Sequence, residues 1–337
     1  MKKDYFALKL TILIALTIIG FFGSFLVGKY PIAPRTVIDI ISSQFFDITP
    51  YWEPVLETVV IQVRLPRILL AILVGGSLSI SGASYQTLFK NPMVSPDILG
   101  VSAGAGFGAA LIMINNGSWL EIQASALFFG MMAVAIAYTI GNLLGKREMT
   151  ILVLSGIVVS GFFSALLNIV KTYADTDNQL PAITFWLMGG LGRGSLTDVA
   201  FMIPATAMSL ALLYYLRYKI DLLAAGEDQA ATMGVNIRAL KLVVIVSSTL
   251  LTVVSVSVCG IVGWVGLVIP HIARAITGAS FAKLSSVAFF SGGIFLLFID
   301  NMIRGVEGVE LPLGVLTALI GTPIFTLLIV RARRGWN

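Results

Sequence analysis

Between Lys241 and Arg274 the chain passes without a single charged residue. Soluble domains spend about a quarter of their residues on charge. Here charged residues make up 12%, apolar residues 57%, and the mean hydropathy is +0.95. A backbone surrounded by hydrocarbon must satisfy its own hydrogen bonds, which leaves helices or a closed barrel. Runs of this length, unbroken by period-two alternation, select helices. The chain is therefore an all-α polytopic membrane protein, with residues 1–337 forming a single transmembrane domain.

A span needs roughly 20 apolar residues. Runs of that kind fall at about 8–28, 65–88, 95–114, 122–144, 150–170, 195–216, 241–258, 259–273, 284–300 and 311–330. The first follows MKKDYFALKL and is too long for the apolar core of a signal peptide, so it reads as a span. The charge-free stretch is too long for one upright helix and short for two. Cys259-Gly-Ile-Val-Gly-Trp-Val-Gly266 in its middle permits a reversal, so a full span followed by a shortened or unwound one is expected.

Lysines and arginines orient the spans. With the N-terminus inside, the inner loops and termini hold fifteen of the 22: Lys2, Lys3, Lys9, Lys90, Lys146, Arg147, Arg217, Lys219, Arg238, Lys241, Arg274, Lys283, Arg331, Arg333 and Arg334. The outer set is Lys29, Arg35, Arg64, Arg67, Lys171, Arg193 and Arg304. That bias favours ten spans with both termini cytoplasmic. Nine would place the basic C-terminus outside.

One loop does more than turn the chain round. Residues 217–241 form a polar island flanked by basic residues, which the same rule places in the cytoplasm. Its centre reads as two short helices broken at Gly226, with Glu227 and Asp228 suited to the first turn of the second. A structured bump of this kind is a handle for another protein. The residues expected to couple to that partner are Asp221, Gly226, Glu227, Asp228, Ala231, Met233 and Gly234.

Several function classes drop out. One cysteine, Cys259, excludes an internal disulfide and a cysteine metal cage, and one histidine, His271, excludes a multi-histidine site. No metal-binding or catalytic constellation is expected, no cofactor, and no nucleic-acid partner, because the basic residues mark topology. No Ser–His pairing supports an intramembrane enzyme. No span carries an acid or base near its centre, which disfavours the alternative of an ion-coupled secondary transporter. Gly28-Lys29-Tyr30 and Gly145-Lys146-Arg147 lack P-loop spacing, so any ATP is hydrolysed by another chain. Small polar residues remain: Ser77, Ser79, Ser81, Ser84, Gln86, Ser155, Ser160, Ser164 and Asn168. Most suit close helix packing. Ser160, Ser164 and Asn168, four apart, share one helical face and are expected to line a pathway.

Motifs follow in a fixed order. Arg64-Leu-Pro-Arg67 is followed by Gly76, Gly82 and Gln86, then by Asn91-Pro-Met-Val-Ser-Pro-Asp-Ile-Leu-Gly100 and Gly104. Next come Trp186-Leu-Met-Gly-Gly190, Gly226-Glu-Asp-Gln-Ala-Ala-Thr-Met-Gly-Val235 and Gly263-Trp-Val-Gly-Leu-Val-Ile-Pro-His-Ile-Ala-Arg274. Asp300-Asn-Met-Ile-Arg304, Glu310-Leu-Pro-Leu-Gly-Val-Leu-Thr317 and Gly321-Thr-Pro323 close the series. In combination, over about 60–330, they resemble the permease subunit of type II ABC importers, the family of the vitamin B12, haem and iron–siderophore permeases. Within it the chain is most similar to the metal-chelate-type molybdate/tungstate permeases.

The resemblance implies a homodimer in the bacterial inner membrane, two cytoplasmic ATPase subunits that bind ATP and Mg, and a periplasmic binding protein. It implies that Arg64, Arg67 and Arg304 dock carboxylates of that receptor, a task suited to arginine. It also implies a cytoplasmic gate at Thr150, beside which Met149 departs from the small polar residue of the family. Metal oxyanion, siderophore, haem and corrinoid all remain open as substrates.

Overall fold

The computed structural model describes residues 5–144, 149–278, 280–306 and 311–334. Lys2, Lys3, Lys146, Arg147 and Glu310 lie outside them. Every regular element is helical: α1 (Phe6–Ser24), α2 (Pro34–Ser43), α3 (Pro54–Glu57), a π-helical stretch (Thr58–Arg64), α4 (Leu65–Leu88), α5 (Val101–Ile114), α6 (Trp119–Leu144), α7 (Met149–Tyr173), α8 (Gln179–Leu187), α9 (Leu196–Tyr215), α10 (Arg217–Ala225), α11 (Glu227–Thr232), α12 (Ile237–Cys259), α13 (Val265–Thr277), α14 (Phe281–Gly305) and α15 (Leu313–Arg334). Seven helical segments among the described residues are long and apolar enough to cross a membrane, and shorter apolar helices lie at Val101–Met113, Val265–Thr277 and Leu313–Leu328.

Two expectations shift. The span at 95–114 begins as helix only at Val101, because Pro92 and Pro96 hold 91–100 in turns and Asp97 Oδ1 accepts the Ser102 N–H at 2.7 Å to cap α5. The span at 65–88 is longer than expected, since Pro54–Leu88 runs as one continuous helical segment. The uncharged stretch breaks as anticipated: α12 ends at Cys259, 260–264 is unwound, and α13 resumes at Val265.

α4 is the buried centre, packed on α9, α12, α13 and α14, while α5, α6 and α7 form a second group joined to it through α12. Small residues make the contact possible. A Cβ on Gly82 would sit 1.7 Å from the Gly266 carbonyl oxygen, and one on Gly75 would sit 2.2 Å from that of Gly292. Backbones this close need glycine on the facing helix. Hydroxyls knit α4 to α12: Ser81 Oγ lies 2.7 Å from Thr252 Oγ1, and Tyr85 Oη 2.7 Å from Thr249 Oγ1. Ser77, Ser79, Ser81 and Ser84 are fully buried, so their positions serve packing.

Candidate functional sites at the two ends of α14

The polar island folds as α10 and α11, joined at Gly226. Gly226 is extended (φ 169°), a conformation open to any residue. The glycine that the backbone demands is Gly234, left-handed at φ +79°. There Gly234 N–H donates to the Ala231 carbonyl at 2.9 Å and Val235 N–H to that of Ala230 at 3.0 Å, the paired bonds of a Schellman stop. Asn236 then caps α12 by accepting the Ala239 N–H at 3.0 Å. Met233-Gly-Val-Asn236 thus ends one helix and starts the next.

The residues expected to couple divide into two groups. Asp228, Ala231, Met233 and Gly234 are exposed, Met233 at 66%. Asp221 and Glu227 instead turn back toward the membrane helices. Asp221 accepts the Ser280 hydroxyl at 2.9 Å and the Phe281 backbone N–H, so α10 caps the first turn of α14. Glu227 accepts from Lys241 Nζ at 2.7 Å and ties α11 to α12. The loop is pinned to two different membrane helices.

At the other end of α14 lie the arginines expected to meet a receptor. They are not three free cations. Arg64 is 4% exposed, and its guanidinium donates to the carbonyls of Phe25 and Tyr30. Arg304 donates to the carbonyls of Ser24 at 2.9 Å and Val27 at 3.1 Å. Arg67 Nε donates to Asp300 Oδ1 at 2.7 Å, and Arg304 Nε makes an ion-pair contact with Asp300 Oδ2 at 2.9 Å. Asp300 is fully buried, and an isolated carboxylate there would be costly, so it takes two cations. The i,i+4 spacing of Asp300 and Arg304 was visible in the sequence. The link to Arg67, 233 positions away, was not.

These arginines line a cavity of about 450 Å³, together with Lys29, Arg193, Trp119 and Trp186. Three irregular segments meet at its wall. Gly190 N–H donates to the Cys259 carbonyl at 2.7 Å, Leu313 N–H to that of Gly189 at 2.9 Å, and Gly314 N–H to that of Met188 at 2.9 Å. Gly189 and Gly260 are left-handed, and a Cβ on Gly260 would sit 2.1 Å from the Trp186 carbonyl oxygen. Hence Gly189 and Gly260: there the two turns touch backbone to backbone.

The residues expected at the gate and along the pathway lie on α7. Thr150 is exposed at its first turn, and Ser164 and Asn168 are exposed further along. Ser160 is partly buried, donates to the Gly156 carbonyl at 2.7 Å and packs against Gly100. Ser160 is thus less exposed than Ser164 and Asn168 on the same helix. His271 is half-buried beside Phe325, with ring centroids 6.4 Å apart and Nδ1 unpartnered. Among the described residues no three His, Cys, Asp or Glu side chains group as a metal site.

Residues 16–331 match the model of the FecCD transport family. The chain belongs to that family. It is 33% identical over 326 residues to the molybdate import system permease protein MolB of Haemophilus influenzae, covering 97% of this chain and 95% of that one. The cobalamin import system permease protein BtuC of Halobacterium salinarum is 34% identical over 274 residues, covering 81% and 73%. Among solved structures, an inward-facing metal-chelate-type ABC transporter superposes with a TM-score of 0.85 at 33% identity, covering 96% of this chain and 98% of that one. The chain is thus a multi-pass ABC importer permease. The substrates named for its relatives span molybdate, iron chelates, haem and cobalamin.

Proposed function

We propose that this chain is the membrane subunit of an ATP-driven importer that moves a metal-containing substrate into the cytoplasm, with a molybdate- or tungstate-type oxyanion favoured. It works as a homodimer of ten-span subunits with both termini cytoplasmic, in the bacterial inner membrane. Two ATPase subunits bind ATP and Mg and engage the exposed face of α11 through Asp228, Ala231 and Met233. A periplasmic binding protein docks at the opposite end, where Arg67 meets its carboxylates and Arg64 and Arg304 hold the 24–30 segment in shape. Thr150 gates the cytoplasmic side, and Ser164 and Asn168 face the pathway.

The observation that carries this reading is the double pinning of the polar loop. A load applied to α10 and α11 reaches α14 through Asp221 and α12 through Glu227. The oxyanion preference rests on the extent of the likeness to the molybdate permease and on the basic cavity. The test is co-expression with the candidate ATPase and receptor, affinity purification through this chain, and uptake of labelled molybdate into proteoliposomes. ATP-dependent, receptor-dependent uptake is expected. A chain that recruits no ATPase, or that carries substrate on an ion gradient alone, overturns the reading.

A further inference from the structure

The basic cavity at the Arg304 end of α14 holds more cation than its described acids balance. Lys29, Arg64, Arg67, Arg193 and Arg304 all line it. The acid that contacts them is Asp300, shared by Arg67 and Arg304. Among the described residues Lys29 and Arg193 have no ion-pair or hydrogen-bond partner, and Arg193 is exposed. Asp198, which Trp119 reaches from the cavity wall, is already bonded by Ser195, Trp119 Nε1 at 2.9 Å and Gln123. Glu307 and Glu310 lie outside the described residues.

Trp186 supplies an independent observation. It lines the same cavity at 5% exposure, and its Nε1–H is buried without a hydrogen-bond partner. Buried donors are seldom left unpaired. An indole N–H donates and never accepts, and guanidinium and ammonium groups likewise only donate. Among the described residues that line the cavity none is a carboxylate while five are cations, a balance that favours a fully deprotonated, acceptor-only ligand. Its volume of about 450 Å³ falls within the roughly 300–1,000 Å³ typical of small-ligand pockets. That leaves space for a small anion with part of its hydration shell.

We propose that this cavity is an anion-binding vestibule of the permease itself, which takes a tetrahedral oxyanion of the molybdate, tungstate or sulfate class without the receptor. Arg67 and Arg193 supply charge-assisted donors, Lys29 adds long-range attraction, and Trp186 Nε1–H supplies the neutral donor. Low-dielectric walls focus the field of such a cluster and raise the local anion concentration. The site deepens the oxyanion reading above and rests on it for the identity of the cargo.

The test uses the full permease–ATPase complex without receptor and without nucleotide. Bound molybdenum is counted by elemental analysis after equilibrium dialysis, with chloride holding ionic strength constant. Saturable binding is expected, displaced by tungstate and sulfate. Losing one charge-assisted donor, worth about 1.5–3 kcal/mol, predicts that Arg193→Gln weakens binding about tenfold or more. Trp186→Phe keeps the ring and removes only the donor, and is expected to weaken binding severalfold. Non-saturable binding, or equal binding by wild type and both variants, overturns the proposal. So does binding in maltoside that vanishes in phospholipid nanodiscs, because a lipid headgroup then occupies the cavity. Receptor docking and ATP-driven uptake are measured in parallel. If they persist while molybdate binding is absent, the vestibule falls and the importer reading stands.

Discussion

Arg67 Nε lies 2.7 Å from Asp300 Oδ1, joining the start of α4 to the far end of α14 across 233 positions of chain. The carboxylate is fully buried and also contacts Arg304, so one acid fixes two cations and two helix ends.

Asp300→Asn keeps the shape and removes the charge that both guanidinium groups face. Removing one partner of a buried ion pair costs about 3–5 kcal/mol, because the remaining charge is left uncompensated. The purified complex is expected to unfold at lower temperature, and the double variant Asp300→Asn/Arg67→Gln to recover part of the loss. Thermal unfolding of the four proteins of the cycle checks this, and strict additivity would remove the coupling.

Asp221 caps α14 from another helix. A helix cap is worth about 0.5–2 kcal/mol, too little to decide insertion. Asp221→Ala is expected to leave the complex assembled and hydrolysing ATP while transport per ATP falls severalfold. Uptake and phosphate release, measured on the same proteoliposomes, report the ratio. An unchanged ratio would assign Asp221 to local structure alone.

The Glu227–Lys241 pair is half-exposed on its acidic side, with Glu227 at 41% and Lys241 at 11%. Solvent screening limits such a pair to about 1 kcal/mol or less. Its effect is therefore expected in coupling rather than in stability. Glu227→Lys should lower transport, and Glu227→Lys/Lys241→Glu should restore it. A swap that fails to rescue counts against the pin.

Along α7, Ser164 and Asn168 are exposed whereas Ser160 is hydrogen-bonded to its own helix. In a background carrying Cys259→Ser, cysteines at 164 and 168 are expected to react with a membrane-impermeant thiol reagent, with rates that differ between nucleotide-free and ATP-trapped states. Cysteine at 160 is expected to react at least tenfold more slowly, since protection scales with burial. Equal inertness at all three positions would make this face a packing surface.

The helices and the double-helical polar island were legible because both rest on local pattern: apolar length for the spans, and glycine with flanking acids for the loop. Gly226 drew attention as the breaker, yet its backbone is extended, and the obligate left-handed glycine is Gly234. The late start of α5 was readable from Pro92 and Pro96, which disfavour helix around them. What local pattern does not encode is partnership at a distance. Arg64, Arg67 and Arg304 stood out by sign and side, but that Asp300 and the carbonyls after α1 consume much of their donor capacity depends on packing that brings α1, α4 and α14 together. Trp186 was noticed as part of a motif, and only its burial shows an unpaired donor.

The wall where three irregular segments meet has an energetic corollary. Its stitches are three amide-to-carbonyl bonds, from Gly190, Leu313 and Gly314, with no side chain among them. At about 1 kcal/mol net for each, parting all three asks for roughly 3 kcal/mol, an equilibrium constant on the order of a hundred. Thermal motion alone would then open those stitches about one time in a hundred, and a modest push on any of the three segments would reverse the balance. Because the fastening is made by amides, it tolerates change in the side chains around it but not at Gly189, Gly260 or Gly314, where a Cβ would sit 2.5, 2.1 and 2.6 Å from a carbonyl oxygen.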